Sequence, residues 1–244
     1  MIHGGPGAPG SMAAVARELS RYFGVLEPLQ TAASIEGQLE ELKNVLECHG
    51  RLPVTLIGHS WGAWLSLIFA ARYPSHVKKL ILIGSGPFEE PYSRNIMETR
   101  LERLSEKDRR RVLELARALD TQDSGDREAI FKEFGKLMSA ADSYDPIHHS
   151  DDNVEFREDI YRSVWKEADE LRRSGELLRI AEQVQCPVIA IHGDYDPHPA
   201  EGVEKPLSKV VKDFRFMLLN NCGHEPWMEK EAKEKFFQIL KEVC

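Results

Sequence analysis

The sequence predicts an α/β fold: a mostly parallel sheet flanked by helices and interrupted by an inserted helical cap. Three observations carry this reading. The β-branched run Pro53-Val54-Thr55-Leu56-Ile57 passes through a glycine-rich turn into residues 63–70, which are apolar on nearly every face. A buried strand there turns directly into a buried helix. The same alternation of short apolar runs and helical segments returns over residues 186–243, whereas residues 87–180 are helical in pattern and carry most of the excess negative charge. The expected division is a core of residues 1–86 and 181–244 with a helical cap of residues 87–180 set into it.

The first element in order is a loop. His3-Gly4-Gly5-Pro6-Gly7 has three glycines and a proline in five residues, which no strand interior tolerates. Residues 11–22 follow with helical spacing and Ser11 as the expected cap, and residues 24–29 form a short strand candidate. Residues 34–48 place Ile35, Leu39, Leu42, Val45 and Leu46 on one helix face. Residues 77–83 read as another buried strand. In the cap, Ser105 caps a helix to Leu119. Ile130, Phe131, Phe134, Leu137 and Met138 make a second apolar stripe, and residues 154–171 a third. Residues 186–192 and 214–219 are the returning strands, and residues 227–243 the closing helix.

Composition narrows the function classes. At 244 residues, 42% hydrophobic and 30% charged, the chain suits a globular core of moderate size with an insertion. A formal net charge of −8, with no polybasic run beyond Arg109-Arg110-Arg111, argues against nucleic acid and anionic membranes as partners. No apolar run reaches the ~18 residues of a membrane span, and the first residues do not form a signal peptide. Cys48, Cys186, Cys222 and Cys244 are widely spaced and read as reduced thiols, so the expected location is cytoplasmic.

The chemistry concentrates at Gly58-His59-Ser60-Trp61-Gly62, a G-x-S-x-G between strand and helix. That is the nucleophile-elbow arrangement, in which flanking glycines make room for a serine in a strained turn. The turn lifts the Ser60 hydroxyl off the sheet edge and leaves the Trp61 backbone N–H free to face a developing oxyanion. A serine needs a base, and the base an orienting acid. Past the strand ending at His192 stands Gly193-Asp194-Tyr195-Asp196-Pro197, and past the strand ending near Leu219 stands Cys222-Gly223-His224. Serine, an aspartate (Asp194 or Asp196) and His224 thus follow in the elbow order, all at the carboxyl ends of strands.

In these four stretches the sequence resembles the α/β-hydrolase fold family, and within it the branch of proline iminopeptidases and related small esterases. The resemblance rests on the His3–Gly7 loop, the elbow, the acid turn and the histidine loop, and spans all but the cap. It implies Ser60 as nucleophile, His224 as general base and Asp196 as acid, since the family's acid stands three residues after the glycine. It also implies the backbone N–H groups of Gly5 and Trp61 as oxyanion donors, with no cofactor. Only Met1 and Ile2 precede the glycine loop, where the family has two or three further strands, so the N-terminal strands of the usual fold are expected to be missing. The exposed edge would favour a homodimer.

The expected activity is a serine hydrolase acting by acyl transfer on a small ester, an amide or a short peptide. A proline iminopeptidase-type aminopeptidase is the alternative, and a catalytically weak scaffold serving as ligand receptor or interaction protein is the reading from another class. Gly4, His59 and Trp227 are placed at the pocket, with His59 lining it or packing beneath the elbow. The Trp61 ring is expected to wall the acyl site and Trp64 to lie in the core, whereas His192 and His198 bracket the acid turn without a clear role. His148-His149-Ser150-Asp151-Asp152 has metal-ligand residue types but no spacing that gathers them on one helix face, so no metal is expected.

Overall fold

The computed structural model describes residues 1–121, 126–147 and 157–244. Four parallel strands, β1 (Val54–His59), β2 (Val77–Ile83), β3 (Val188–Gly193) and β4 (Phe214–Leu219), form one sheet in the order β1-β2-β3-β4. Beyond β1, Ile2 adds a single parallel bridge to Gly58. Its N–H donates to the Ile57 carbonyl (2.8 Å) and its carbonyl accepts from His59 N–H (3.1 Å).

Strand residues alternate between two apolar cores, as a parallel sheet covered on both faces requires. Leu80 and Leu82 of β2, with Val188 and Ala190 of β3, face one cluster; Ile81, Ile83, Ile189 and Ile191 face the other. The first cluster is filled by α2 (Ile35–His49), α3 (Trp61–Arg72), α7 (Glu158–Arg173), α8 (Glu176–Ala181) and α9 (Glu201–Val210). The second is filled by α1 (Ala13–Leu19) and α10 (Lys233–Val243). Helices α4 (Ile96–Arg103), α5 (Glu106–Asp120) and α6 (Arg127–Asp142) complete the helical run between β2 and β3. Ser34, Ser105 and Asp126 cap α2, α5 and α6 by accepting backbone N–H bonds from Gly37, Asp108 and Ala129.

Several expectations are corrected. Residues 24–29 form no strand. Ser11 does not cap α1, because its hydroxyl accepts the Gly4 N–H (3.3 Å) and is spent on the glycine loop. The closing segment breaks into a 3₁₀ turn at Pro226–Met228 before α10, where proline begins the tighter turn. The third helix expected between the strands at 77–83 and 186–192 spans Glu158–Arg173; the first residues of the predicted stretch, 154–156, lie outside the described residues, as does the His148–Asp152 cluster.

Helix α3 is the packing hub. Every residue from Trp61 to Ala70 is buried. Trp64 stacks on Trp165 (ring centroids 5.8 Å apart, planes 10° apart), and its Nε1–H donates to the Gly86 carbonyl (3.1 Å). Replacing Trp64 by Ala removes both contacts and opens a cavity, so unfolding in urea should show a loss of about 3–5 kcal/mol.

Candidate active site

The elbow adopts the strained turn its sequence requires. Ser60 has φ 53°, a left-handed conformation unusual for a residue with a side chain. The flanking glycines permit it through space: a Cβ on Gly58 would lie 2.1 Å from the Gly62 carbonyl oxygen, and one on Gly62 would lie 2.3 Å from that of Ile2. Ser60 faces a cavity of about 230 Å³, lined in part by Gly4, Gly5, His59, Met138, Asp142 and His224. Trp61 opens α3, where a first-turn N–H has no partner within the helix.

His224 is fixed by three bonds from three parts of the chain. Its Nδ1 donates to Asp196 Oδ2 (2.7 Å), its backbone N–H to the Asp142 carbonyl (2.9 Å), and its own carbonyl accepts from His59 Nε2 (3.1 Å). With Nδ1 on the carboxylate, Nε2 is the ring nitrogen left for a serine; among the described residues no hydrogen bond yet joins it to Ser60, and such bonds often tighten only with substrate. Asp194 is separated from Asp196 by geometry: its Oδ1 accepts the Cys222 N–H (3.1 Å), tying the two loops together without touching the imidazole.

Electrostatics follow burial and partners. Burial would raise the Asp196 pKa, but His224, His198 and His192 outweigh it and hold the acid well below the usual carboxylate range. Burial lowers the His224 pKa, yet the Asp196 charge and hydrogen bond prevail and raise it. His59 is pushed well below the ordinary imidazole value by burial and then by His224; it stays neutral, with Nε2–H donated and Nδ1 unpartnered. His3 is likewise lowered, chiefly by burial, and braces the glycine loop by accepting the Gln30 N–H at Nε2 (3.2 Å). Among the described residues, one group has metal-ligand atom types close together, Asp196, His198 and His224, within 4.8 Å. Those atoms already hydrogen-bond one another, so the group is one carboxylate shared by two imidazoles.

Two pocket placements are corrected. Trp227 is buried behind His59 (centroids 4.7 Å, edge-on) and does not line the cavity. The Trp61 ring also points into the core, where Nε1–H donates to Gln38 Oε1 (2.8 Å). Gly4, Gly5 and His59 do line the cavity.

The family model for the alpha/beta hydrolase fold matches residues 1–231. The chain belongs to that family. This α/β-hydrolase is similar to the proline iminopeptidase of Saccharolobus solfataricus, at 23% identity over 99% of this chain and 82% of the relative. Its fold is shared with VinJ (TM-score 0.66, 18% identity, 99% of this chain and 88% of that one). The monoacylglycerol lipase of Paleococcus ferrophilus shares it too (TM-score 0.59, 18% identity, 99% and 91%). Among the described residues, no helix is long and apolar enough to cross a membrane.

The residues that sequence reading missed sit on the inserted helices and behind the histidine. Arg100 grips Asp142 with two bonds of 2.6 Å, and Asp142 supplies the carbonyl that holds His224. Glu229 is buried and accepts the backbone N–H groups of Gly223 (2.9 Å), Tyr144 (2.8 Å) and Asp145 (2.8 Å). Replacing Glu229 by Ala leaves three donors unmatched. A loss of about 2–4 kcal/mol in unfolding free energy is expected, with a fall in kcat that exceeds any change in KM.

Proposed function

We propose that this α/β-hydrolase cleaves a small ester or amide by acyl transfer, with Ser60 as nucleophile, His224 as general base and Asp196 as its orienting acid. The observation that carries the reading is the 2.7 Å bond from His224 Nδ1 to the buried Asp196, beside a cavity that also holds the strained Ser60. Ser60 Oγ attacks the carbonyl carbon as His224 Nε2 takes its proton. The tetrahedral oxyanion is bound by the Gly5 and Trp61 N–H groups, and Asp196 stabilises the imidazolium. His224 then gives the proton to the leaving alcohol or amine. Water, deprotonated by the same nitrogen, releases the acid and restores the hydroxyl.

In this reading helices α4–α8 are a cap over the core, and α6 roofs the site through Met138 and Asp142. A cavity of about 230 Å³ is below the usual ligand-pocket size of roughly 300–1,000 Å³, which favours a short acyl group. The aminopeptidase reading draws on Asp142 and Glu225, carboxylates lining the cavity where a substrate ammonium could sit, and on the similarity to proline iminopeptidases. Both Asp142 oxygens are already bonded to Arg100, which neutralises that charge and places the ester reading first.

Short-chain nitrophenyl esters beside proline arylamide test the assignment. Ser60→Ala should lower kcat by a factor on the order of 10⁴ or more with little change in stability. Undiminished turnover in that variant would refute the elbow as the site, and silence of the parent protein on both substrates would favour the idle scaffold.

The base must be neutral to act, and the His224 pKa is raised. As pH falls through that value activity is lost, so the acid limb of kcat/KM should lie above the ordinary imidazole pKa of about 6.5. A pH–rate profile in buffers of constant ionic strength checks this.

A further inference from the structure

Asp196 has a second imidazole. Its Oδ2 receives His224 Nδ1, while its Oδ1 accepts both the backbone N–H (2.9 Å) and the Nδ1 (2.8 Å) of His198. The His198 ring lies 4.7 Å from the His224 ring, tilted by 35°. Residue 198 is itself clamped from the strand below, where His192 Nε2 donates to its carbonyl (2.8 Å). The carboxylate side chain is fully enclosed and that of His198 nearly so, at 13% exposure, so little water can substitute for these donors.

We propose that His198 is a positioning residue for the acid–base pair: its Nδ1–H fixes the plane of the Asp196 carboxylate presented to His224 and draws part of its charge away from that histidine. The inference rests on the Ser60–His224–Asp196 reading and deepens it.

A carboxylate only accepts, so the short contact requires His198 to carry its proton on Nδ1. Two imidazolium rings cannot share one carboxylate at this separation without strong repulsion. Burial lowers the His198 pKa despite Asp196, and the His224 pKa is raised, so the shared charge favours protonation at His224. The other titratable or charged groups set against the pair are His59 from the end of β1, His192 from β3, and Asp142 with Arg100 from the inserted helices. Deleting the His198 donor leaves the Asp196 charge concentrated toward His224, which makes that base harder to deprotonate. An asparagine can place an amide N–H near the position of Nδ1; a leucine fills similar space and donates nothing.

The experiment is ring-nitrogen NMR titration of ¹⁵N-histidine-labelled protein, wild type, His198→Leu and His198→Asn, beside kcat/KM pH profiles on a nitrophenyl ester. In wild type, His198 should be the Nδ1–H tautomer at neutral pH. In His198→Leu the His224 midpoint and the acid limb should both rise by roughly half a pH unit or more, and His198→Asn should stay near wild type. An Nε2–H tautomer in wild type, an unmoved midpoint in the leucine variant, or equal shifts in both variants would overturn the proposal. Should His198→Leu fail to fold, the wild-type tautomer decides alone. The NMR readouts need no turnover, so failure of the hydrolase reading, shown by Ser60→Ala retaining activity, is a separate result.

Discussion

A carboxylate sealed from water is the constraint on which the functional half of this molecule depends. The Asp196 side chain is fully enclosed, and an unpaired charge in such a place would cost several kcal/mol. It is tolerated because donors converge on it: two imidazole nitrogens and a backbone N–H within hydrogen-bond distance, with a third imidazole nitrogen at 3.5 Å. Those donors come from the end of β3, the turn after it and the loop after β4. Satisfying one charge therefore fixes the relative placement of three segments. The sheet makes this possible, because parallel strands deliver their carboxyl ends to one edge.

The helices between β2 and β3 take part in that placement as well as lining the cavity. Residues 142–147 are stitched to the histidine loop at several points: Asp142 carbonyl to His224 N–H, Ile147 N–H to Met228 carbonyl, Lys230 N–H to Asp145 carbonyl, and the Glu229 carboxylate across both sides. Arg103 adds a cation over the Tyr195 ring at 3.7 Å, and Tyr195 packs edge-on against Tyr144, so α4 and the segment that follows α6 also lean on the acid turn. A displacement of α6 relative to the core would be felt at the His224 backbone directly. The cavity wall and the His224 loop are therefore one mechanical unit.

The local signals were the legible ones. The elbow, the strands at 77–83 and 214–219 and the helix beginning after Ser34 are coded by adjacent residues, through β-branched runs, glycines and a cap, and the structure has them in place. The order of Ser60, the aspartate and His224 was also readable, because each stands just past a strand. What escaped depends on contacts between residues far apart in the chain. Nothing near Arg100 announces Asp142, forty-two positions on, and Glu229 resembles any acidic residue before a helix until its three N–H partners are seen. Trp61 and Trp227 misled for a related reason. Proximity in sequence to Ser60 or His224 does not set side-chain direction, and both rings turn inward to bury apolar area. His198 had a visible signal, an imidazole two residues past the acid, but its meaning needed the side-chain geometry.

The strain at Ser60 and the burial of α3 belong to one argument. A non-glycine residue at φ 53° is unfavourable by about 1–3 kcal/mol and persists only where its surroundings leave no alternative. Here the following ten residues are buried, the serine N–H donates to the Ile83 carbonyl (2.9 Å), and the backbone at Gly62 closes against Ile2 and His3. Relaxing the turn would tear a fully packed helix from the sheet, a loss far larger than the strain relieved. The same closure brings the glycine loop up to the elbow, with Gly4 against the Ser60 side chain and Gly5 on the wall of the same cavity. The burial of α3 and the placement of the glycine loop are thereby secured by a single set of contacts, and a substitution that relaxes the turn must disturb both.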